Sequence, residues 1–376
     1  MRKKVLIISF YDINNENLNG VTKIGFNLLK YAKSDIETLI LPYSQTNKVI
    51  KLVNYILRGN GVFNDYIYKR QLVRNISLIE LEAKKYDIVH FLGPQFIYLD
   101  NLLSDELLGK LVVQPIDNLL IFKGRLIKKV SLLKKMFYIV EIYKLKSIYK
   151  SIKNYKKIIF VSKRDSKLFN KNSNLASIAI ENGVELGFVK KNDFEIRNKD
   201  KIKLVFHGDL TYAPNIEATY FLNELSKILG EFFQIDVIGK YNTQLEFECS
   251  NLNFLGFVDD LSTSLTLYDM YICPIFSGSG IKNKFLEASY MKIPMISTSE
   301  AAVGTSLKAG VDYEHAESMD DFLSSILRLA NDISLRESLA ESASGKVEKS
   351  FSWDQVVERY EAEYNEIYYN NNPSVR

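Results

Sequence analysis

The string GSGIKNKFLEA at residues 278–288 follows a short apolar run, MYICPI (270–275), and combines residue types that suit a bound diphosphate. Gly278 and Gly280 let the backbone approach a bulky anion and adopt positive φ without strain. A helix is predicted to open near Ile281. Its free amides and positive dipole end, with Ser279 in the turn before it, form a seat for phosphate oxygens. Lys284 lies one turn into that helix and Glu287 three residues later, so the two share a face. Lys284 can set a point charge on a phosphate, and Glu287 can accept hydrogen bonds from two ribose hydroxyls. Gly-Ser-Gly alone fits an ordinary surface turn, and Lys–Glu at this spacing fits an ordinary surface pair. The whole string behind a buried strand favours the nucleotide.

Three further residues could move protons. His90 lies in DIVHFLGP and Asp117 follows KLVVQPI. Both are expected at strand ends facing a cleft, where either could orient or deprotonate an acceptor hydroxyl. The competing roles are a satisfied core histidine for His90 and a helix cap or turn for Asp117; Asp117 ranks first. His207 ends the run KLVFH and could donate to a sugar or phosphate, or be structural. The three histidines, His90, His207 and His315, are not at metal-ligand spacing. Asp259-Asp260 and Asp320-Asp321 are adjacent pairs, so no bound metal or other cofactor is expected.

Strands buried on both faces of a parallel sheet read as continuous apolar runs. Such runs occur at 4–9, 37–43, 87–93, 110–116 and 157–162, with helical spacing at 21–33 and 64–85. A polar stretch at 181–201 reads as a linker. The pattern then restarts at 203–208, 234–239, 252–258, 270–275 and 294–299, with a helix from Pro214 to about Leu229. This predicts an α/β protein of two facing Rossmann-like domains with a cleft between them: 1–182, and 183–352. By fold analogy, and not from the pattern, a closing helix, 353–376, is expected to pack back on the first domain.

The chain of 376 residues is long for one core and natural for two. With 47% hydrophobic and 25% charged residues it is ordinary for a globular protein. The formal charge of +4 implies no strongly polyanionic partner. Cys249 and Cys273 make neither a disulfide framework nor a metal cluster, which suits a reducing cytoplasm. The opening run VLIISF is too short for a signal peptide, and no run of about 18 apolar residues suggests a membrane span.

Charge is nevertheless concentrated. Residues 122–157 hold twelve Lys/Arg and one acid, Glu141, a local excess of 12 − 1 = +11. Leu126, Val130, Leu133, Phe137, Val140, Ile148 and Ile152 recur at helical spacing within it. A basic amphipathic stretch suits contact with an anionic membrane surface; the alternative is a stripe packed on the sheet beneath solvated lysines. With no nucleic-acid module around it, nucleic acid is not an expected partner. The expected location is cytoplasmic, with peripheral contact at the inner face of the plasma membrane.

These residues together resemble the group 1, or family 4, glycosyltransferases of GT-B fold. The resemblance runs through ENGVE (181–185), FHGDLTYAPNIEATYF (206–221), IDVIGK (235–240), NFLGFVDD (253–260), GIKNKFLEA followed by KIPMIST, and FSW (351–353) with Tyr360. It covers nearly all of the second domain and less of the first. It implies transfer of a sugar from a nucleotide-diphosphate sugar to an acceptor hydroxyl with retention, as in surface polysaccharide or related glycan synthesis, with a glycan or lipid-linked acceptor. It further implies that Gly20, Gly208, Gly278, Ser279, Gly280, Ile281 and Lys284 hold the diphosphate. Glu287 would hold the ribose, and Phe257 and Val258 would lie near the base.

Two departures stand out. Ser279 occupies a position where many members carry a Glu near the donor sugar, and His207-Gly208-Asp209-Leu210 lacks a customary Arg. Lys240 is one candidate for the missing charge. Two other functions stay open: a catalytically silent GT-B partner subunit, and a sugar-nucleotide epimerase of the same fold.

Overall fold

The computed structural model describes residues 2–14, 20–41, 65–99, 102–127, 131–185, 194, 201–241, 250–278 and 281–375. It divides into two compact units, Met1–Glu181 with Val356–Arg376, and Asn182–Gln355.

The first unit is built on six strands: β1 (Lys4–Ser9), β2 (Asp35–Ile40), β3 (Ile88–Leu92), β4 (Leu111–Ile116), β5 (Lys157–Phe160) and β6 (Ile178–Ala179). They form one parallel sheet in the order β2-β1-β3-β4-β5-β6. All five residues of β3 are buried, as the continuous apolar run requires. β2 starts before the expected 37–43, and residues 42 and 43 lie outside the described residues. β6, two residues long, leaves no run to read in the sequence. The helices are α1 (Gly20–Tyr31), α2 (Asp65–Ala83), α3 (Asp105–Leu108), α4 (Leu119–Leu126), α5 (Leu132–Ser151) and α6 (Lys163–Asn172). The basic stretch 122–157 thus spans the end of α4, all of α5 and the first residue of β5.

The second unit has its own six-stranded parallel sheet: β7 (Ile202–His207), β8 (Phe233–Ile238), β9 (Leu252–Gly256), β10 (Met270–Cys273), β11 (Met295–Ser297) and β12 (Glu314–His315). Its order is β9-β8-β7-β10-β11-β12. Counted from β7 as the first strand, this is the 3-2-1-4-5-6 order of dinucleotide-binding sheets. Its helices are α7 (Ala213–Leu229), α8 (Leu261–Leu265), α9 (Asn283–Tyr290), α10 (Ser299–Ala302), α11 (Met319–Asn331) and α12 (Ile333–Phe351). The direction of winding reverses between β7 and β10, so their carboxyl ends frame the crevice where such sheets bind ligands.

The closing helix α13 (Trp353–Asn371) returns the chain to the first unit. There Glu361 accepts hydrogen bonds from the Ser34 amide (2.7 Å) and hydroxyl (2.8 Å). Lys157 pairs with Glu363 at 2.7 Å and Glu366 at 3.1 Å. Tyr360 and Tyr364 are buried against the sheet. Among the described residues no helix is long and apolar enough to cross a membrane.

Candidate functional site

The carboxyl end of β7 carries the first half of the site in the second unit. His207 is the last residue of the strand and is buried. Its Nε2 lies 3.1 Å from Oε2 of Glu287 on α9, and its Nδ1 lies 3.0 Å from the Tyr271 hydroxyl on β10. An ionised Glu287 only accepts, so Nε2 carries a hydrogen toward it; with the ring neutral, Nδ1 accepts from Tyr271. The Tyr271 oxygen in turn accepts from the His207 backbone amide at 3.4 Å. Burial pushes the Tyr271 phenol well above its ordinary range, which keeps it a donor. His207 therefore holds Glu287 from one ring nitrogen and Tyr271 from the other.

Lys284 is held by three neighbours. Its ammonium donates to Oδ1 of Asn215 at 2.5 Å and lies 4.4 Å from the centre of the Phe206 ring. Asn215, buried in the first turn of α7, donates to the Asp209 carbonyl at 2.6 Å. The third neighbour is the bare backbone of Gly208. A Cβ there would strike Lys284 Nζ and come within 2.8 Å of the Asn215 amide nitrogen. Gly239 (φ +140°) packs so closely that a Cβ would overlap the Gly208 carbonyl oxygen. Desolvation lowers the Lys284 ammonium to about 8, with Glu287 and Asp209 among the charges that oppose the shift. A cation poorly solvated by water in the first turn of α9 suits an incoming anion.

The turn before α9 is tied down on both sides. Ser277 donates to Glu217 at 2.7 Å, and Gly278 (φ +145°) leaves no room for a Cβ, which would meet Lys282 Cε at 2.9 Å. Ile281 is buried in the core of this unit and anchors the start of the helix. Ser279 and Gly280 lie outside the described residues. Asn182, from ENGVE, donates to Oδ1 of Asn283 at 3.3 Å, while its own buried Oδ1 has no partner. Phe257 is 76% exposed just after β9, whereas Val258 packs on the core of the unit. Lys240 is exposed, and its carbonyl accepts from the Leu210 amide at 2.8 Å.

The first unit treats its candidates differently. His90 is not at a strand end facing solvent: it is fully buried within β3. Its Nδ1 lies 2.7 Å from the Tyr364 hydroxyl, and the Tyr360 ring sits 6.0 Å away. Desolvation lowers its pKa to about 3, against a smaller opposing effect of Gln114. It is a neutral core histidine and not an acid or base in reach of a substrate. Asp117, in contrast, is half-buried at the carboxyl end of β4, after Ile116, a β-branched residue held at φ +70°. The capping role belongs to its neighbour: Asn118 Oδ1 accepts from the Leu120 amide at 3.0 Å. The Asn118 amide donates to Asp165 at 3.0 Å, which fixes the turn carrying Asp117. Gly20 opens α1 with no atom near its side-chain position.

Asn215 and Tyr271 had no role in the sequence reading. The Pro-Asn pair at 214–215 marks a helix start, but only the fold brings it to Lys284, 69 residues on. Replacing Gly208 by alanine is expected to displace the flexible Lys284 tip and spare the fold. A melting temperature close to wild type, with nucleoside diphosphate affinity weakened about tenfold or more, is the expected result in paired melting and calorimetric titrations. Unaltered affinity would place the ligand elsewhere.

Residues 201–332 match the family model described as glycosyl transferases group 1. No curated protein sequence matches significantly. Among solved structures, the chain resembles HepE of Anabaena in complex with UDP, with 11% identity and a TM-score of 0.68 over 96% of this chain and 100% of HepE. It also resembles sucrose-phosphate synthase of Thermosynechococcus elongatus, with 12% identity and a TM-score of 0.68 over 98% and 99% of the two chains. A third is WaaG, a glycosyltransferase involved in lipopolysaccharide biosynthesis, with 13% identity and a TM-score of 0.62 over 96% and 99%. Residues 201–332 thus resemble the group 1 glycosyl transferases, in a chain that shares its fold with these three solved proteins.

Proposed function

We propose that this protein transfers a sugar, with retention, from a nucleotide-diphosphate sugar to an acceptor hydroxyl during synthesis of a surface polysaccharide or related glycan. The observation that carries the reading is the pair of supported side chains on α9. Lys284 is held by Asn215 over Gly208, and Glu287 is aimed by His207, at the point where the second sheet reverses its winding. One lysine and one carboxylate a helical turn apart match the phosphate and ribose of a single nucleotide.

The chemistry follows from charge. Breaking the bond between the anomeric carbon and the diphosphate oxygen leaves negative charge on the diphosphate. We take Lys284 and the first amides of α9 to neutralise it, a role that a preorganised lysine and helix end would fill with little reorganisation. Glu287 holds the ribose, and exposed Phe257 offers a face for the base. We assign the acceptor hydroxyl to Asp117 in the first unit, whose carboxylate takes its proton. The acceptor is a glycan or lipid-linked saccharide met at the cytoplasmic side of a membrane.

HepE has been solved with UDP-glucose, so uridine nucleotides are the first ligands to try. A ligand that binds only the folded chain raises its stability by about 2.7 kcal/mol at a hundredfold excess over its dissociation constant. We expect UDP or a UDP-sugar to raise the melting temperature, and Glu287→Ala to remove most of that rise. If no nucleoside diphosphate of any base shifted the melting curve, the silent-partner function would take precedence.

A further inference from the structure

Helix α5 has two apolar faces. Leu145 and Tyr149 are fully buried in the core of the first unit, with Glu141 beside them paired to Lys123 at 2.5 Å. The opposite face carries Leu132, Met136, Ile139, Val140 and Tyr143, which fall within about 100° of one another around the helix axis and form one stripe over three turns. They are exposed by 77%, 64%, 41%, 47% and 71%. This stripe differs from the one expected from the sequence. Ile152 faces the core, Phe137 and Ile148 are half-buried, and the side chains of Leu126, Val130 and Leu133 lie outside the described residues. Val140 alone of that set is among the exposed five.

Isolated surface apolar residues need no explanation, but five in register on one helix do. The charged residues that α5 itself sets beside them have one sign. Lys135 lies at the edge of the stripe, and its line continues toward the end of the helix through exposed Lys146 and Lys150. The only acid of residues 122–157, Glu141, is buried on the other face.

We infer that the outward face of α5 docks on an anionic lipid surface, Leu132, Met136 and Tyr143 entering the headgroup boundary while Lys135, Lys146 and Lys150 pair with lipid phosphates. Charge selects this occupant. A second copy packed symmetrically would bring the same lysines together, at a repulsive cost. A fluid interface also accommodates an exposed apolar stripe without a matching groove. Binding at such a surface adds apolar insertion to attraction by a negative leaflet, the second part screened by salt. The inference does not depend on the donor site, and vesicle binding needs no nucleotide sugar, so either can fail while the other stands.

The test uses the full chain in co-sedimentation with vesicles of phosphatidylcholine mixed with phosphatidylglycerol, and with phosphatidylcholine alone. Two variants accompany it: Met136→Ser with Tyr143→Ser, and Lys146→Glu with Lys150→Glu. These positions are exposed, and circular dichroism melting checks that both variants fold. The expected result is binding to the anionic vesicles that falls about tenfold or more in each variant and weakens with added salt. Absence of binding by the wild type, or binding equal in the serine variant, would overturn the inference. So would a wild-type dimer in light scattering that the serine variant converts to monomer, since the face would then belong to a second copy.

Discussion

Replacing Lys284 by methionine is expected to lower kcat/KM for the donor by roughly two to three orders of magnitude, the usual loss when one preorganised donor to a developing anion is removed. Methionine fills much of the same volume against Phe206, so the fold should survive. The charge and the hydrogen bond to Asn215 both disappear. The split between kinetic constants is informative. An ammonium that binds the diphosphate mainly as it departs should be missed more in kcat than in KM. A variant as active as wild type would remove Lys284 from the reaction altogether.

The same lysine should leave a mark on pH dependence. Free of ligand, it titrates near 8 because it is withdrawn from water. A bound diphosphate favours the ammonium and raises that value. Below about pH 8 the charge is already present and nucleotide affinity should be flat. Above it, binding must take up a proton, so affinity should fall, by up to about tenfold per pH unit until the bound-state value is reached. Asn215→Ala should weaken nucleotide binding too, but through position and not charge, so its pH profile should keep the downward break. Isothermal titration at several pH values in buffers of different ionisation enthalpy measures both affinity and proton uptake.

How far the sequence could be read depended on whether the information was local. The longer strands of both sheets were legible because a strand covered on both faces is mostly apolar. KVLIIS shows this for β1 and IKLVFH for β7. Lys284 and Glu287 were legible because their relation lies within a single helical turn. What escaped were relations between distant segments. Asn215 reaches Lys284, and Tyr271 reaches His207 across 64 residues, through strand order and not through spacing. β12 is two residues long and shows no pattern of its own. In α5 the period was found but the face that the core takes was left open; of the expected stripe's four described residues Ile152 is buried, Phe137 and Ile148 half-buried and Val140 exposed. Apolar residues lie on both faces, and helical spacing does not tell which stripe the core will take.

His90 illustrates the same limit and yields the second large effect, acid sensitivity of the first unit. Viewed along the chain, a histidine near a strand end invites an acid–base role. In the fold, α13 covers it with Tyr360 and Tyr364 and removes it from water. Its pKa falls from 6.5 to about 3 because burial penalises the imidazolium. Between those values the unfolded chain binds a proton that the folded chain refuses, so the folded state loses stability as pH drops through this range. At 1.36 kcal/mol per pKa unit the full effect is at most roughly 4–5 kcal/mol, a large share of the stability of a typical domain. Stability from this source is complete above pH 6.5. The variant His90→Asn cannot take up the proton. It should lose some stability at pH 7, where its contact with Tyr364 changes, yet show a shallower fall in melting temperature between pH 7 and 5 than the wild type. It should also keep most of its transferase activity at neutral pH, because no substrate reaches a residue enclosed in this way. If both proteins lost stability with the same slope, the buried imidazole would not be the acid-sensitive group. If the asparagine variant folded normally but had no activity, His90 would return to the list of residues that act in the reaction.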